Sequence, residues 1–120
     1  MYALQKRYGS RLYLERRNVG AVVTRDRSGA ATGMFHASKV VGAADYFGIL
    51  RDTEISDARH FEIEFKAAKG KQREGQRRFQ ARMETLGVPY LLWKFSPAAS
   101  LEVNVERCLI LFADALDLDH

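Results

Sequence analysis

From Phe61 to Lys66 the chain reads FEIEFK, a strict alternation of apolar and charged side chains. A period of two marks a β-strand, and it sends Phe61, Ile63 and Phe65 to one face and Glu62, Glu64 and Lys66 to the other. Beyond this strand the period changes. Between Lys71 and Leu86, Phe79, Met83 and Leu86 share one helical face and Gly87 supplies the stop. Pro89 then opens a short apolar strand from Tyr90 to Phe95. Two strands joined by a helix through short connections predict an α/β domain with a mixed sheet.

The rest of the chain supplies the other elements. Leu4 and Tyr8 stand at helical spacing before Gly9, which predicts a short helix over 1–8. Leu12 and Leu14 alternate with Tyr13 and Glu15, and Ala21-Val22-Val23-Thr24 is rich in β-branched residues, so a strand is expected here, followed by a loop or hairpin over RDRSGAATG. Val40 to Leu50, VVGAADYFGIL, reads as a strand broken by Gly42 and one acid. After SPAAS, the spacing of Val105, Cys108, Leu109, Phe112 and Leu116 predicts an amphipathic helix, although Leu101, Val103 and Val105 also fit an extended start. A chain of 120 residues, 47% hydrophobic, closes one layered core, so a single domain over 1–120 is expected. Cys108 is the only cysteine; its apolar neighbours predict a buried thiol in a reducing compartment. The N-terminus lacks the apolar stretch of a signal peptide and no run approaches the ~20 apolar residues that span a bilayer, so no membrane partner and an intracellular, cytoplasmic location are expected.

The formal charge, 19 Lys and Arg against 15 Asp and Glu, says less than its distribution. From Lys66 to Arg82 the sequence KAAKGKQREGQRRFQAR is strongly basic, whereas the tail after Ser100 is acidic. Asp45 lies in an otherwise apolar segment, where an unpaired carboxylate is costly to bury and calls for a metal, a cation or water. If its strand pairs with that of Glu64, the two carboxylates converge on one hard cation, for which oxygen ligands and retained waters are the chemistry of Mg²⁺. Lys66, on the face of Glu64, would then lie beside the water and a scissile phosphate. Gln76 shares the helical stripe of Phe79 and Met83 and is expected to point inward, either as a satisfied core amide or helix-end contact or as an amide holding the lysine, the water or a phosphate. Lys69, Lys71, Arg73, Arg77, Arg78 and Arg82 would meet a nucleic-acid backbone.

Other chemistries find no pattern. His36, His60 and His120 accompany no nucleophile motif, one cysteine and scattered histidines make no zinc site, and Gly70-Lys71 lacks the remainder of a phosphate-binding loop.

The segments GAADYFGIL, FEIEFKAAKGKQREGQRRF and GVPYLLWKF together resemble the VRR-NUC branch of the PD-(D/E)XK nucleases, from about Arg17 to the C-terminal helix. The matching elements are the G-x-x-D turn Gly42 to Asp45, the strand Ile63 to Lys66, the loop Lys69 to Lys71, Gln76, and Gly87 onward; Arg17-Asn18-Val19-Gly20 is similar to the family's R-N-x-G element. The resemblance implies a restriction-endonuclease-like αβββαβ core with a mixed central sheet. It implies Mg²⁺, with Mn²⁺ able to substitute, bound by Asp45, Glu64 and the carbonyl of Phe65, with Lys66 and Gln76 near the attacking water and Arg17, Asn18, Lys69, Lys71, Arg73 and Arg77 on DNA. It further implies structure-selective cleavage of branched DNA such as four-way junctions, by a homodimer. Two departures stand out. Ala44 replaces the proline that commonly precedes the acid, and the first helix is short, with only Gln5 and Glu15 as loose candidates for the glutamate the family often carries there. Glu62 is expected to face solvent, with a spare carboxylate near the site as the alternative.

Two further readings are open: a non-catalytic nucleic-acid-binding module on the same fold, and an assembly protein that dimerises through its apolar C-terminal helix. The stripe Val105, Cys108, Leu109 and Phe112, or the strand from Tyr90, is a candidate interface, with ordinary core as the alternative.

Overall fold

The computed structural model describes residues 1–17, 21–36, 42–51 and 57–118. Helix α1 (Tyr2–Tyr8) ends at Gly9, and a single 3-10 turn (Gly9–Arg11) leads into β1 (Leu12–Arg16). A hairpin of β2 (Ala21–Arg25) and β3 (Ala31–His36) follows, then β4 (Tyr46–Leu50) and β5 (Arg59–Ala67). Helix α2 (Glu74–Thr85), β6 (Tyr90–Phe95) and α3 (Leu101–Ala115) complete the order.

The architecture is α/β. Four strands form a mixed sheet in the order β1-β4-β5-β6, while among the described residues β2 and β3 pair only with each other. β4 runs antiparallel to β1 and β5, with Tyr46 opposite Ile63. β6 runs parallel to β5, with Phe65 opposite Trp93, so the chain must cross over between them, and α2 is that crossover.

The predicted alternation sets what covers each face. Phe61, Ile63, Leu91 and Trp93 pack against Leu4 and Tyr8 of α1 and against Cys108, Leu109, Phe112 and Ala113 of α3, in one buried cluster. Phe112 sits between Tyr8 and Phe61, with ring centroids 5.4 and 4.9 Å away. Burial of its thiol pushes the pKa of Cys108 up, which fits an inert core residue rather than a nucleophile. The stripe on α3 is therefore core. α2 covers the opposite face and buries no residue of its own fully.

Several expectations change. The strand expected over Val40 to Leu50 is Tyr46–Leu50 only; Gly42 to Asp45 form a turn, and Val40 and Val41 lie outside the described residues. The polar string RDRSGAATG closes a hairpin, because the Asp26 carboxylate accepts from Ser28 N at 2.9 Å, Ser28 Oγ at 2.6 Å and Ala30 N at 3.1 Å, which folds the chain back on itself. Leu101 and Val103 are helical from the start, since Ser100 caps α3 by accepting from Val103 N at 3.2 Å. Leu86, expected to face inward, lies past the last turn of α2 and is 64% exposed. No helix among the described residues is long and apolar enough to cross a membrane.

Candidate metal and nucleic-acid site

The turn carrying Asp45 is held by a backbone contact that only glycine permits. Gly42 has φ +83°, and a Cβ there would lie 2.3 Å from the carbonyl carbon of Gly75 and 2.6 Å from Gln76 N, at the start of α2. The G-x-x-D turn thus rests directly on the first turn of the helix. Ala44, immediately before Asp45, is fully buried.

From that turn Asp45 reaches the end of β5, where its Oδ2 accepts from Phe65 N at 2.7 Å. In an extended strand the N–H and C=O of one residue point to the same edge. The Phe65 carbonyl is therefore directed to the edge occupied by Asp45. Asp45 also opens onto a surface depression of about 460 Å³ lined by Met1, Arg16, Tyr46 and Phe65.

Glu64 faces α2 and is 1% exposed. Each of its oxygens has a donor: Tyr90 Oη to Oε1 at 3.0 Å and Gln72 Nε2 to Oε2 at 3.2 Å. Gln72 continues to Gln80 Oε1 at 2.8 Å, and Gln80 Nε2 to Glu84 Oε1 at 2.8 Å, so an amide chain runs along α2 from the carboxylate. Burial, and then the Glu64 carboxylate beside it, pushes the pKa of the Tyr90 phenol far up, which keeps it a proton donor. Lys66 is half-buried on the same face, its stem beside Gly70.

Glu62 is a correction. Expected in solvent, it is 1% exposed, because α2 lies over its face of the sheet, and it forms a bidentate pair with Arg17, Nη1 to Oε2 at 2.9 Å and Nη2 to Oε1 at 2.8 Å. His60 Nε2 lies 3.4 Å from the same carboxylate. Gln76 makes the helix-end contact. Its Oε1 accepts from Arg73 N at 2.8 Å, at the start of α2, because the helix needs an acceptor for an otherwise unpaired N–H there. The amide that reaches the carboxylate is Gln72, one turn earlier.

The basic residues divide. Lys69, Lys71, Arg73 and Arg77 are exposed between β5 and the first turns of α2, although Arg77 Nη1 also donates to Gln72 O at 2.7 Å. Arg17 is 21% exposed and faces inward, and Asn18 lies outside the described residues. Sequence reasoning missed Gln72, Tyr90 and Arg16. Tyr90 was within reach, since alternation along β6 sends Leu91 and Trp93 to the core and Tyr90 to the side of Glu62 and Glu64.

By chemistry the donors are of the hard, oxygen type. Among the described residues no three His, Cys, Asp or Glu side chains form a metal cage. Asp45 and Phe65 line the open depression and Glu64 is buried beside Phe65 in the chain; two carboxylates and a carbonyl are oxygen donors of the kind that Mg²⁺ takes together with water and phosphate. No family model matches the chain, nor does any curated protein or solved structure.

Proposed function

We propose that the chain is a metal-dependent DNA endonuclease of the VRR-NUC type, with a restriction-endonuclease-like core. The observation that carries this reading is the bond from Phe65 N to Asp45 Oδ2, which sets the acid of the G-x-x-D turn beside the Glu64-Phe65-Lys66 segment. The element order supports it too. With the hairpin set aside, α1, β1, β4, β5, α2 and β6 follow the αβββαβ succession.

Asp45, Glu64 and the Phe65 carbonyl would hold Mg²⁺ or Mn²⁺. Such an ion supplies Lewis acidity and lowers the pKa of the water it binds. The chain's own groups do the rest. Tyr90 and Gln72 fix both oxygens of Glu64 in one orientation, so little reorganisation is needed when charge develops. Lys66 neutralises the phosphate and orients the attacking water, while Lys69, Lys71, Arg73 and Arg77 bind the DNA backbone. One site per chain cuts one strand, so paired incision of a four-way junction requires a two-fold dimer.

Incubation with labelled four-way junction, flap, duplex and single-stranded DNA in Mg²⁺, Mn²⁺ or EDTA tests the reading. Metal-dependent nicking of branched DNA is expected, abolished in Glu64→Ala and Lys66→Ala with binding retained. Equal activity in both variants sinks the site assignment. One observation favours the non-catalytic alternative: both oxygens of Glu64 already have protein donors. That alternative gives salt-sensitive gel shifts with the junction, unaffected by metal, and no product.

A further inference from the structure

We infer that Arg17 is a positioning residue, which locks the Asp45 turn to the sheet and uses Glu62 as its internal anchor rather than contacting DNA. The inference rests on the nuclease reading for its metal, not for its geometry. Arg17 grips the turn twice: its backbone N donates to Asp45 O at 2.7 Å, and its Nη1 to Ala44 O at 3.4 Å. The guanidinium is itself immobilised. Glu62 takes both Nη atoms, and the Phe47 and Phe79 rings lie 4.8 and 5.4 Å from its central carbon, which ties β4, β5 and α2 to a single side chain.

Phosphate has little to gain here. To reach the fork it would have to displace a buried carboxylate already held in the planar two-bond geometry that makes arginine suited to such pairing. The turn is thus pinned at both ends, Gly42 by the backbone of α2 and Ala44-Asp45 by Arg17, and the product of that pinning is an Asp45 carboxylate seated on Phe65 N. The Phe65 amide proton is consequently a direct reporter of whether Asp45 is in place.

The test compares Arg17→Lys, Arg17→Met and the double variant Arg17→Met with Glu62→Met, which removes both buried charges. Folding is followed by thermal denaturation, the Asp45 bond by hydrogen exchange of the Phe65 amide, metal binding by calorimetry with Mn²⁺ alone, and DNA contact by the salt dependence of junction binding. The double variant is expected to regain most of the stability that Arg17→Met loses. Its Phe65 amide should still exchange more than about tenfold faster than in the parent, and its Mn²⁺ affinity should fall about 10- to 100-fold. The salt slope should be unchanged.

Parental exchange and parental metal affinity in a stable double variant would mean that Arg17 is only a counter-ion, and would overturn the inference. A salt slope lower by about one would make it a phosphate contact and overturn it equally. If the parent chain binds no Mn²⁺, the nuclease reading fails, and the Phe65 exchange rate alone decides the role of Arg17.

Discussion

The two faces of β5 are buried to the same degree and built from opposite chemistry. Phe61 and Ile63 are 0% exposed and Glu62 and Glu64 1%, in one uninterrupted run of four residues. On the α3 side, water is excluded by rings and aliphatic chains that require nothing but shape. On the α2 side each carboxylate needs named donors: Arg17 for Glu62, Tyr90 and Gln72 for Glu64. A buried ion is tolerated only when its partners are in place, and losing one partner costs more than the intact pair contributes. The two faces should therefore fail differently. The apolar face should lose stability in proportion to removed volume, whereas the polar face should lose it in proportion to unpaired charge, and only the polar face should alter chemistry when it fails.

The largest effect expected from breaking this contrast is on the apolar side. Phe61→Ala removes the ring that meets Phe112 edge-on at 4.9 Å and leaves a cavity between the sheet and α3. A loss of about 3–5 kcal/mol in denaturant unfolding is expected. On the proposed nuclease reading, DNA binding per folded molecule should be unchanged, since the basic residues before and along α2 are on the other side of the sheet. A loss under about 1 kcal/mol would show that this face closes up as readily as a surface, contrary to the burial of its residues.

The difference between the faces also explains what could be read in advance. The alternation in FEIEFK, the helical stripe of Phe79 and Met83, and the stripe of Cys108, Leu109 and Phe112 are one-dimensional patterns with fixed periods, so β5, α2 and α3 appear where those patterns lie. The candidate residues Asp45 and Glu64 also stand out in the sequence, because a carboxylate in an apolar context is conspicuous, and the structure brings Asp45 onto the amide of Phe65, next to Glu64 in the chain. What covers a face is not periodic. Alternation tells only that Glu62 opposes Phe61, and nothing in its neighbours reveals that Arg17, 45 positions away, folds over it. Gln72 escaped for a related reason. It falls on the same stripe as Gln76 in the expected helix over 71–86, and the period does not tell that α2 starts only at Glu74, which leaves Gln72 to reach Glu64 and Gln76 to cap the helix.

On the polar face, Tyr90→Phe keeps the ring beside Phe79 but removes the donor to Glu64 Oε1. Loss of a hydrogen bond to a charged group predicts a destabilisation of about 1.5–3 kcal/mol. The pH dependence follows in sign. Burial and the Glu64 carboxylate raise the pKa of this phenol above its ordinary value, so the folded chain holds the proton more tightly than the unfolded one. The phenol's contribution is complete below the ordinary tyrosine pKa of about 10 and is lost as the pH rises beyond it. Ultraviolet titration should show a phenol that ionises above the ordinary tyrosine range in the parent and is missing in Tyr90→Phe. A phenol that titrates at its ordinary value in the folded protein would mean that Glu64 has no donor on that side.

The smallest effect tests whether charge pairing matters only where water is excluded. Glu74 and Arg78 form an ion pair one turn apart on α2, with an N···O distance of 4.0 Å and both side chains 76% exposed. Chemically it is the same acid and base as Glu62 and Arg17, but solvent already screens both charges, and two long side chains must be ordered to make the contact. Glu74→Ala should therefore change stability by less than about 0.5 kcal/mol, and part of that change will be the acid's interaction with the positive end of α2, where Glu74 is the only acid of the first turn. The two contributions separate by position. Arg78→Ala removes the pair but not the charge at the helix end, so denaturant unfolding of both variants assigns the difference to the helix terminus. If Arg78→Ala alone costs as much as breaking the buried pair, then solvent exclusion does not set the cost, and the contrast between the two faces of β5 loses its physical basis.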